Sequence, residues 1–204
     1  MKELINYVEN NIVGRIANKV HDRRTYNLEL LLLHVILAGD GNYIEIGSLF
    51  GGSAIPVALL KDKLGQSGFV FCIDPLDGYY KKYAPRDDMV DTQSGVAVTP
   101  NTLFENIKNF GVEGRIFVMC QYSTEVKIYE NLKFSVAFID GDHKGDVPTL
   151  DWLLVKDHVT DYVIFDNYDN THPEVIKAGK KASDDPEWKE VYNHDITYVV
   201  QRIK

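Results

Sequence analysis

The stretch Tyr43-Ile44-Glu45-Ile46-Gly47-Ser48-Leu49-Phe50-Gly51-Gly52-Ser53 decides the fold, because an apolar strand runs through an acid into a glycine-rich turn. Such a turn lets the backbone approach a ligand closely, since glycine has no side chain in the way. Turns that bind a pyrophosphate have glycine where this strand ends. Glu45 takes that place here, and its carboxylate would repel a diphosphate but suit a ligand with an ammonium group. The stretch therefore predicts a binding turn for a cationic ligand without phosphate.

Short apolar runs recur along the chain, with helical or mixed segments between them. The runs are Tyr43–Ile46, Phe69–Ile73, Arg115–Met119, Ser135–Ile139 and Tyr162–Phe165. This alternation predicts an α/β fold with a doubly wound, mostly parallel, Rossmann-like sheet covered by helices on both faces. The tail, residues 190–201, predicts an antiparallel hairpin at the C-terminal edge of that sheet.

The length and composition of the chain predict one domain over residues 1–204. A chain of 204 residues with 45% hydrophobic residues can form one substantial core but not two comfortable ones. We expect N-terminal helices over residues 1–40, including a buried apolar helix at Leu28–Ala38. The long connection over residues 75–101 is a candidate lid, with Tyr79, Tyr80, Tyr83 and Arg86 facing an acceptor. An ordinary solvated loop is the alternative.

Charge and hydropathy exclude several classes of partner. The chain has 22 basic and 30 acidic residues and no basic stripe, which argues against nucleic acid, because nucleic-acid binding depends on phosphate neutralisation. No apolar stretch reaches the roughly 20 residues that a membrane span needs. Cys72 and Cys120 lie in apolar runs and are expected to be reduced core residues, so a cytoplasmic location is expected. The amphipathic N-terminal region could serve as a homodimer surface.

Acids follow most of the predicted strands at their carboxyl ends, where sheets of this type bind ligands. Glu45, Asp74, Asp140 and Asp166 occupy such positions, and Gln121 follows another strand. A carboxylate at Asp74 can accept hydrogen bonds from two ribose hydroxyls. The alternative for Asp74 is a cap or turn residue before Pro75.

The spacing E-x-G-x-x-x-G over residues 45–51 resembles the first motif of class I S-adenosylmethionine-dependent methyltransferases. The resemblance implies S-adenosyl-L-methionine as cofactor, whose methionine portion carries an ammonium group and whose ribose would bind Asp74. Ser53 either contacts this ligand or caps the helix after the turn. The implied cofactor-binding residues are Glu45, Gly47, Gly51, Ser53, Asp74, Gln121, Tyr122, Ser123 and Asp140, with residues 121–123 on the adenine side.

A second group of oxygen-bearing side chains follows two later strands. Asp140, Asp166 and Asn167 could converge there, and two carboxylates with an amide oxygen suit Mg²⁺ or a similar divalent cation rather than zinc. These positions resemble the metal-dependent O-methyltransferases, including catechol O-methyltransferase. The segment Asp140-Gly141-Asp142-His143 is similar to one in macrolide and sugar O-methyltransferases.

His143 lies three residues after Asp140, where these relatives carry a base that removes the hydroxyl proton of the acceptor. Its near-neutral pKa suits that task. Asp142 and Lys144 are alternatives. In a purely structural interpretation, Asp142 and His143 only begin the helix that runs toward Trp152, with Asp142 as its cap.

Together these observations predict an S-adenosylmethionine-dependent O-methyltransferase, assisted by a divalent metal, that acts on a small hydroxylated acceptor. One alternative is a protein that binds the cofactor but has lost the chemistry. A less favoured one is a nicotinamide-dependent oxidoreductase, which would need a G-x-G-x-x-G turn that the sequence lacks.

Overall fold

The structure is a computed structural model that describes residues 1–15, 23–77, 90–91 and 93–203. The strands are β1 (Tyr43–Ile46), β2 (Val70–Ile73), β3 (Ile116–Met119), β4 (Phe134–Ile139), β5 (Val159–Phe165), β6 (Trp188–His194) and β7 (Thr197–Arg202). The α-helices are α1 (Lys2–Asn11), α2 (Arg23–Ala38), α3 (Ala54–Leu64), α4 (Pro100–Asn109), α5 (Val147–Val155) and α6 (Pro173–Asp184). A 3₁₀-helix spans Ser123–Glu125.

The strands form one seven-stranded sheet in the order β3-β2-β1-β4-β5-β7-β6. Strands β1 to β5 pair in parallel, and β7 pairs antiparallel with both β5 and β6. Strand order reverses at β1, which lies between β2 and β4. Such a reversal opens a crevice at the carboxyl ends of the strands. The predicted sheet and its C-terminal hairpin are confirmed.

Hydrophobic residues alternate between the two faces of the sheet and form a core on each. Helices α1 to α4 cover one face, and the side chains of Tyr43 and Cys72 belong to the core on that face. Helices α5 and α6 cover the other, where Ile44 and Ile46 pack with Trp152. Because both faces are covered, the central strands are continuous apolar runs, as the sequence indicated.

Two expectations about burial are wrong in part. The apolar helix α2 is not buried all round, since Leu33, Ile36 and Leu37 on it are 37% to 61% exposed. The covered side of α2 packs on β4 and β5 and against α1 and α3, with Leu31 and Leu32 fully buried. Cys72 is buried, but Cys120 is exposed because it lies one residue beyond the end of β3.

The described ends of the 75–101 connection are anchored in the protein. Leu76 and Val98 are buried, and Val90 forms an antiparallel bridge with Ala97. Asp91 is fully buried and forms an ion pair with Arg15 at 2.9 Å. The four residues proposed as a lid, Tyr79, Tyr80, Tyr83 and Arg86, lie outside the described residues.

The helices in the described part of the chain are all too short or too polar to cross a lipid bilayer.

Candidate active site

The carboxyl ends of β1, β4 and β5 meet at one edge of the sheet. The amide of Asp140 donates to the carbonyl of Ile46 at 2.9 Å, and the amide of Asp166 donates to that of Ile139 at 3.0 Å. Asp140 and Asp166 therefore leave neighbouring strands side by side. The glycine-rich turn after β1 lies on the other flank of Asp140. The predicted cofactor and metal groups thus share one edge.

Gly47 brings the glycine-rich turn against the end of β4. Its φ is +92°, and a Cβ at this position would lie 2.1 Å from the carbonyl oxygen of Asp140. Gly51 also has positive φ, +85°, and a Cβ there would crowd Ile55 and Leu103 at 2.9 Å. Both positions require glycine, first for conformation and then for space.

Glu45 lies in the interior beneath the turn and is 0% exposed. Tyr43 and Ser53 each donate a hydroxyl hydrogen bond to its Oε2 at 2.8 Å. Ser53 directs its hydroxyl to Glu45 and makes no side-chain cap for α3, which excludes the capping alternative. Glu45 therefore ties the start of α3 to β1, and its contact with a cationic ligand stays a prediction.

Burial raises the pKa of Glu45 to about 7, although hydrogen bonds from Ser53 and Tyr43 offset part of the rise. A carboxyl whose pKa is higher in the folded state binds its proton more tightly when folded, so the protein loses stability as pH rises. This loss of stability occurs between pH 4.5, the usual pKa of a glutamate, and about pH 7, the pKa of Glu45 in the folded protein.

We expect Glu45→Gln to remove this loss. At pH 8 the wild-type free energy of unfolding should be about 3 kcal/mol below its value near pH 4.5 from this group alone. Denaturant unfolding from pH 5 to 8 would measure the difference between variant and wild type. Glu125→Gln, at an exposed position, is the matched control, and an unchanged pH slope in Glu45→Gln would contradict the expectation.

Asp74 follows β2 and holds the glycine-rich turn in place. Its Oδ2 accepts the amide of Leu49 at 2.8 Å, and its Oδ1 accepts the amide of Leu76 at 2.9 Å. Burial raises the pKa of this carboxyl, and the amide hydrogen bonds oppose the rise. The amide of Ser48 also donates a hydrogen bond to this carboxyl, so about one lone pair is left for a ligand hydroxyl. The turn and ribose interpretations of Asp74 are thus compatible.

Residues 121–123 follow β3 on the far side of Asp74. Gln121 and Tyr122 are exposed, and the Tyr122 hydroxyl donates to Oδ2 of Asp77 at 2.7 Å. Ser123 begins the 3₁₀-helix. Their place next to the end of β2 fits the adenine side, which stays a prediction.

The three predicted metal ligands, Asp140, Asp166 and Asn167, lie at the ends of β4 and β5. Asn167 has a left-handed φ of +57° and is buried, and its Oδ1 has no hydrogen-bond partner in the described part of the chain. Asn27 of α2 donates to Oδ1 of Asp166 at 3.2 Å and is a site residue that sequence reasoning missed. In the sequence, the only indication of this role was that Asn27 directly precedes the apolar run of α2.

These oxygens fit a hard divalent cation. A buried amide oxygen without a partner is costly unless a cation or donor meets it, and two adjacent carboxylates repel each other without one. Among the described residues, no three His, Cys, Asp or Glu side chains form a ready metal-binding group. The predicted set combines two carboxylates with the amide oxygen of Asn167, and magnesium stays a prediction.

His143 lies between the two acids and the surface. Its Nε2 is 3.4 Å from Oδ1 of Asp140, and its side chain is 18% exposed. Burial lowers the pKa of His143, but the nearby carboxylates of Asp140, Asp166 and Asp142 more than reverse this and raise it. The acids therefore increase the basicity of the imidazole.

Asp142, His143 and Lys144 belong to the β4–α5 turn, residues 140–146. Helix α5 begins only at Val147, after the N-cap residue Asp146, so the interpretation that Asp142 and His143 begin this helix is wrong. The amide of Lys144 donates to Oδ1 of Asp142 at 3.2 Å, which shapes the turn, and the Lys144 side chain is exposed. Of the three candidate bases, Asp142 and His143 are half-buried and Lys144 is exposed.

His172 packs against His143 at the border of the site. The ring centroids are 4.9 Å apart and nearly perpendicular. Nδ1 of His172 lies 3.1 Å from Oδ1 of Asp169, which orients the ring. The position of His172 in the sequence, shortly after Asn167, had indicated that it could border the site.

The fold is shared with solved O-methyltransferases. The O-methyltransferase NovP matches with a TM-score of 0.70 and 17% identity over 92% of this chain and 82% of that one. An O-methyltransferase from Bacillus cereus in complex with SAH matches with a TM-score of 0.62 and 16% identity over 100% and 90%. CalS11, a TDP-rhamnose 3'-O-methyltransferase of calicheamicin biosynthesis, matches with a TM-score of 0.63 and 14% identity over 98% of this chain and 93% of that one.

No protein-family model and no curated protein matches this chain significantly. At the identities found, the structural likeness establishes the fold. The strand order and the glycine-rich turn after β1 agree with it. This chain has the class I methyltransferase fold of S-adenosylmethionine-dependent O-methyltransferases.

Proposed function

We propose that this protein is an S-adenosylmethionine-dependent O-methyltransferase that acts on a hydroxyl of a small acceptor, assisted by a divalent cation. One observation carries the proposal. Asp140, His143, Asp166 and Asn167 converge at the sheet edge that also holds Asp74 and the glycine-rich turn. A site that only binds the cofactor has no need of a base next to two carboxylates and a free amide oxygen.

The cofactor would supply a methyl group on a positively charged sulfur. Asp74 would accept a hydrogen bond from a ribose hydroxyl through the lone pair that its three backbone amide bonds leave. The turn at Gly47 would let the methionine portion approach the backbone. These contacts would hold the cofactor at the carboxyl ends of β1 and β2.

On the acceptor side, Asp140, Asp166 and Asn167 would hold the cation, which would lower the pKa of an acceptor hydroxyl. The hydroxyl proton goes to the imidazole of His143. The cofactor would supply the methyl group: the acceptor oxygen would form a bond to the methyl carbon, and the electron pair of the broken carbon–sulfur bond would stay on sulfur. Asp140 stabilises the imidazolium that results, because its carboxylate lies 3.4 Å from Nε2.

The acceptor class follows from the donor set. A cation with three protein oxygens keeps positions for acceptor oxygens, so compounds with vicinal hydroxyls would bind best. Structural neighbours include an enzyme that acts on a nucleotide-linked sugar. We propose sugars and catechols as the first acceptors to screen.

Titration calorimetry with S-adenosylmethionine tests the cofactor part. We expect micromolar binding to the wild type. In Asp74→Ala the dissociation constant should rise at least about tenfold, because hydrogen bonds to a charged group contribute roughly 1.5–3 kcal/mol. Asp157→Asn is the matched control, since this carboxyl is 72% exposed and precedes β5 at the opposite edge of the sheet.

Wild-type protein that fails to bind the cofactor with or without Mg²⁺ would refute the proposal. Tight cofactor binding with no methyl transfer to any hydroxyl compound would favour the binding protein without chemistry. Micromolar binding of NAD would instead revive the oxidoreductase.

A further inference from the structure

A buried carboxyl group on α5 has no role in the mechanism proposed above. Asp151 is 1% exposed in the helix Val147–Val155, whose other residues are mainly apolar. Neither of its oxygens has a hydrogen-bond partner within the described residues. An unpaired buried polar group destabilises a fold. A leucine at this position would suit the core better.

The carboxyl group of Asp151 faces the β4–α5 turn. Its Oδ2 lies 3.2 Å from the place where a Cβ of Gly141 would be. Gly141 is the residue between Asp140 and Asp142, so Asp151 lies against the backbone that carries the proposed metal ligand and base. A side chain on Gly141 would press on this carboxyl.

Asp151 also lies close to the cofactor side. Burial raises the pKa of Asp151 to about 7, whereas the Ser123 hydroxyl and His143 lower it. The Ser123 side chain is thus a near neighbour, although it does not meet hydrogen-bond geometry with either oxygen. Ser123 begins the 3₁₀-helix after β3, on the proposed adenine side.

Building on the proposed function, we propose that Asp151 is a positioning residue that holds the β4–α5 turn and the Ser123 helix in register. Its carboxyl group lies against Gly141 and close to Ser123 and offers an acceptor to both segments, so filling the cofactor side would fix the turn that carries His143. Asp151 contacts neither substrate in this role and acts through Gly141 and Ser123.

Two variants separate positioning from stability. Asp151→Leu removes both acceptors but keeps the site filled, and Asp151→Asn keeps one acceptor and the shape. Thr149→Val, at another buried polar position of α5, is the matched control. Thermal unfolding, S-adenosylmethionine affinity and methyl transfer are measured on all four proteins.

We expect Asp151→Leu to unfold at or above the wild-type temperature but to transfer methyl about 30-fold more slowly, because a small displacement of a reacting group costs much rate. Its cofactor affinity should fall about fivefold, and Asp151→Asn should recover to within about threefold of the wild type. Transfer by Asp151→Leu at the wild-type rate would overturn the inference, as would a loss that follows a lower melting temperature and is not rescued by asparagine.

Hydrogen exchange of the unliganded proteins tests the same inference without catalysis. Residues 140–146 and 121–125 should exchange faster in Asp151→Leu than in the wild type, and unchanged exchange would overturn it. If the wild type binds no S-adenosylmethionine, the proposed function fails, while the exchange result still decides whether Asp151 positions the two segments.

Discussion

Substituting Asp166 by asparagine is expected to lower kcat/KM for methyl transfer by about a thousandfold, because the cation proposed for this site would supply several kcal/mol of transition-state stabilisation. Asparagine keeps the oxygen that accepts the hydrogen bond from Asn27 at 3.2 Å, so the fold should be unchanged. Initial rates with a chelating acceptor, at graded Mg²⁺ concentrations, measure the effect.

The proposed mechanism predicts two further results. A chelator should inactivate the wild type but change the residual rate of Asp166→Asn little, and Mn²⁺ binding followed by electron paramagnetic resonance should be lost in the variant. Asp161→Asn, near the start of the same strand, is the control. If Asp166→Asn kept full turnover and a chelator left the wild-type rate unchanged, methyl transfer would not depend on a metal.

Replacing His143 by glutamine should lower kcat by about a thousandfold, within the range of 10² to 10⁴ that a general base contributes. The carboxylates around His143 raise its pKa, and the base works only when neutral. Wild-type kcat should therefore rise with pH through the pKa of His143 and then level off, and a cation held by Asp140 and Asp166 would offset the rise in pKa that these carboxylates cause. The rising limb should disappear in His143→Gln. A pH series of kcat at saturating substrates checks both points.

Asp142→Asn and Lys144→Met distinguish the base from its neighbours in the turn. Both residues border His143 in sequence, and the Lys144 side chain is exposed. Each variant should keep kcat within about threefold of the wild type. A thousandfold loss in Asp142→Asn, with His143→Gln nearly active, would transfer the role of base to Asp142.

The sheet was predictable because its central strands are buried on both faces and read as continuous apolar runs. The glycine-rich turn at residues 47–53 fixed β1 and α3 as neighbours. Strand ends were harder to predict: β5 begins at Val159, three residues before the apolar run at Tyr162, because Val159 pairs with Phe134 of β4 ahead of a register shift that the sequence does not reveal. Helix α2 was misjudged since a run of leucines does not reveal which face the sheet will cover.

The site was predictable where parallel strands end, because topology alone brings Asp140 and Asp166 together. Asn27 and Asp151 could not be found in this way. Each lies on a helix, and its contact with the site depends on how that helix packs across the sheet. Sequence spacing carries no record of such contacts.

The close approach of Gly47 to the carbonyl of Asp140 has a consequence for how this enzyme could diversify. Under the proposed function, the turn on the cofactor side and the strand end that carries Asp140 meet there main chain against main chain. Acceptor preference could then change through side chains in the flanking segments while this contact stays the same. We expect a saturation library at position 47 to retain glycine alone, whichever acceptor is used to select it.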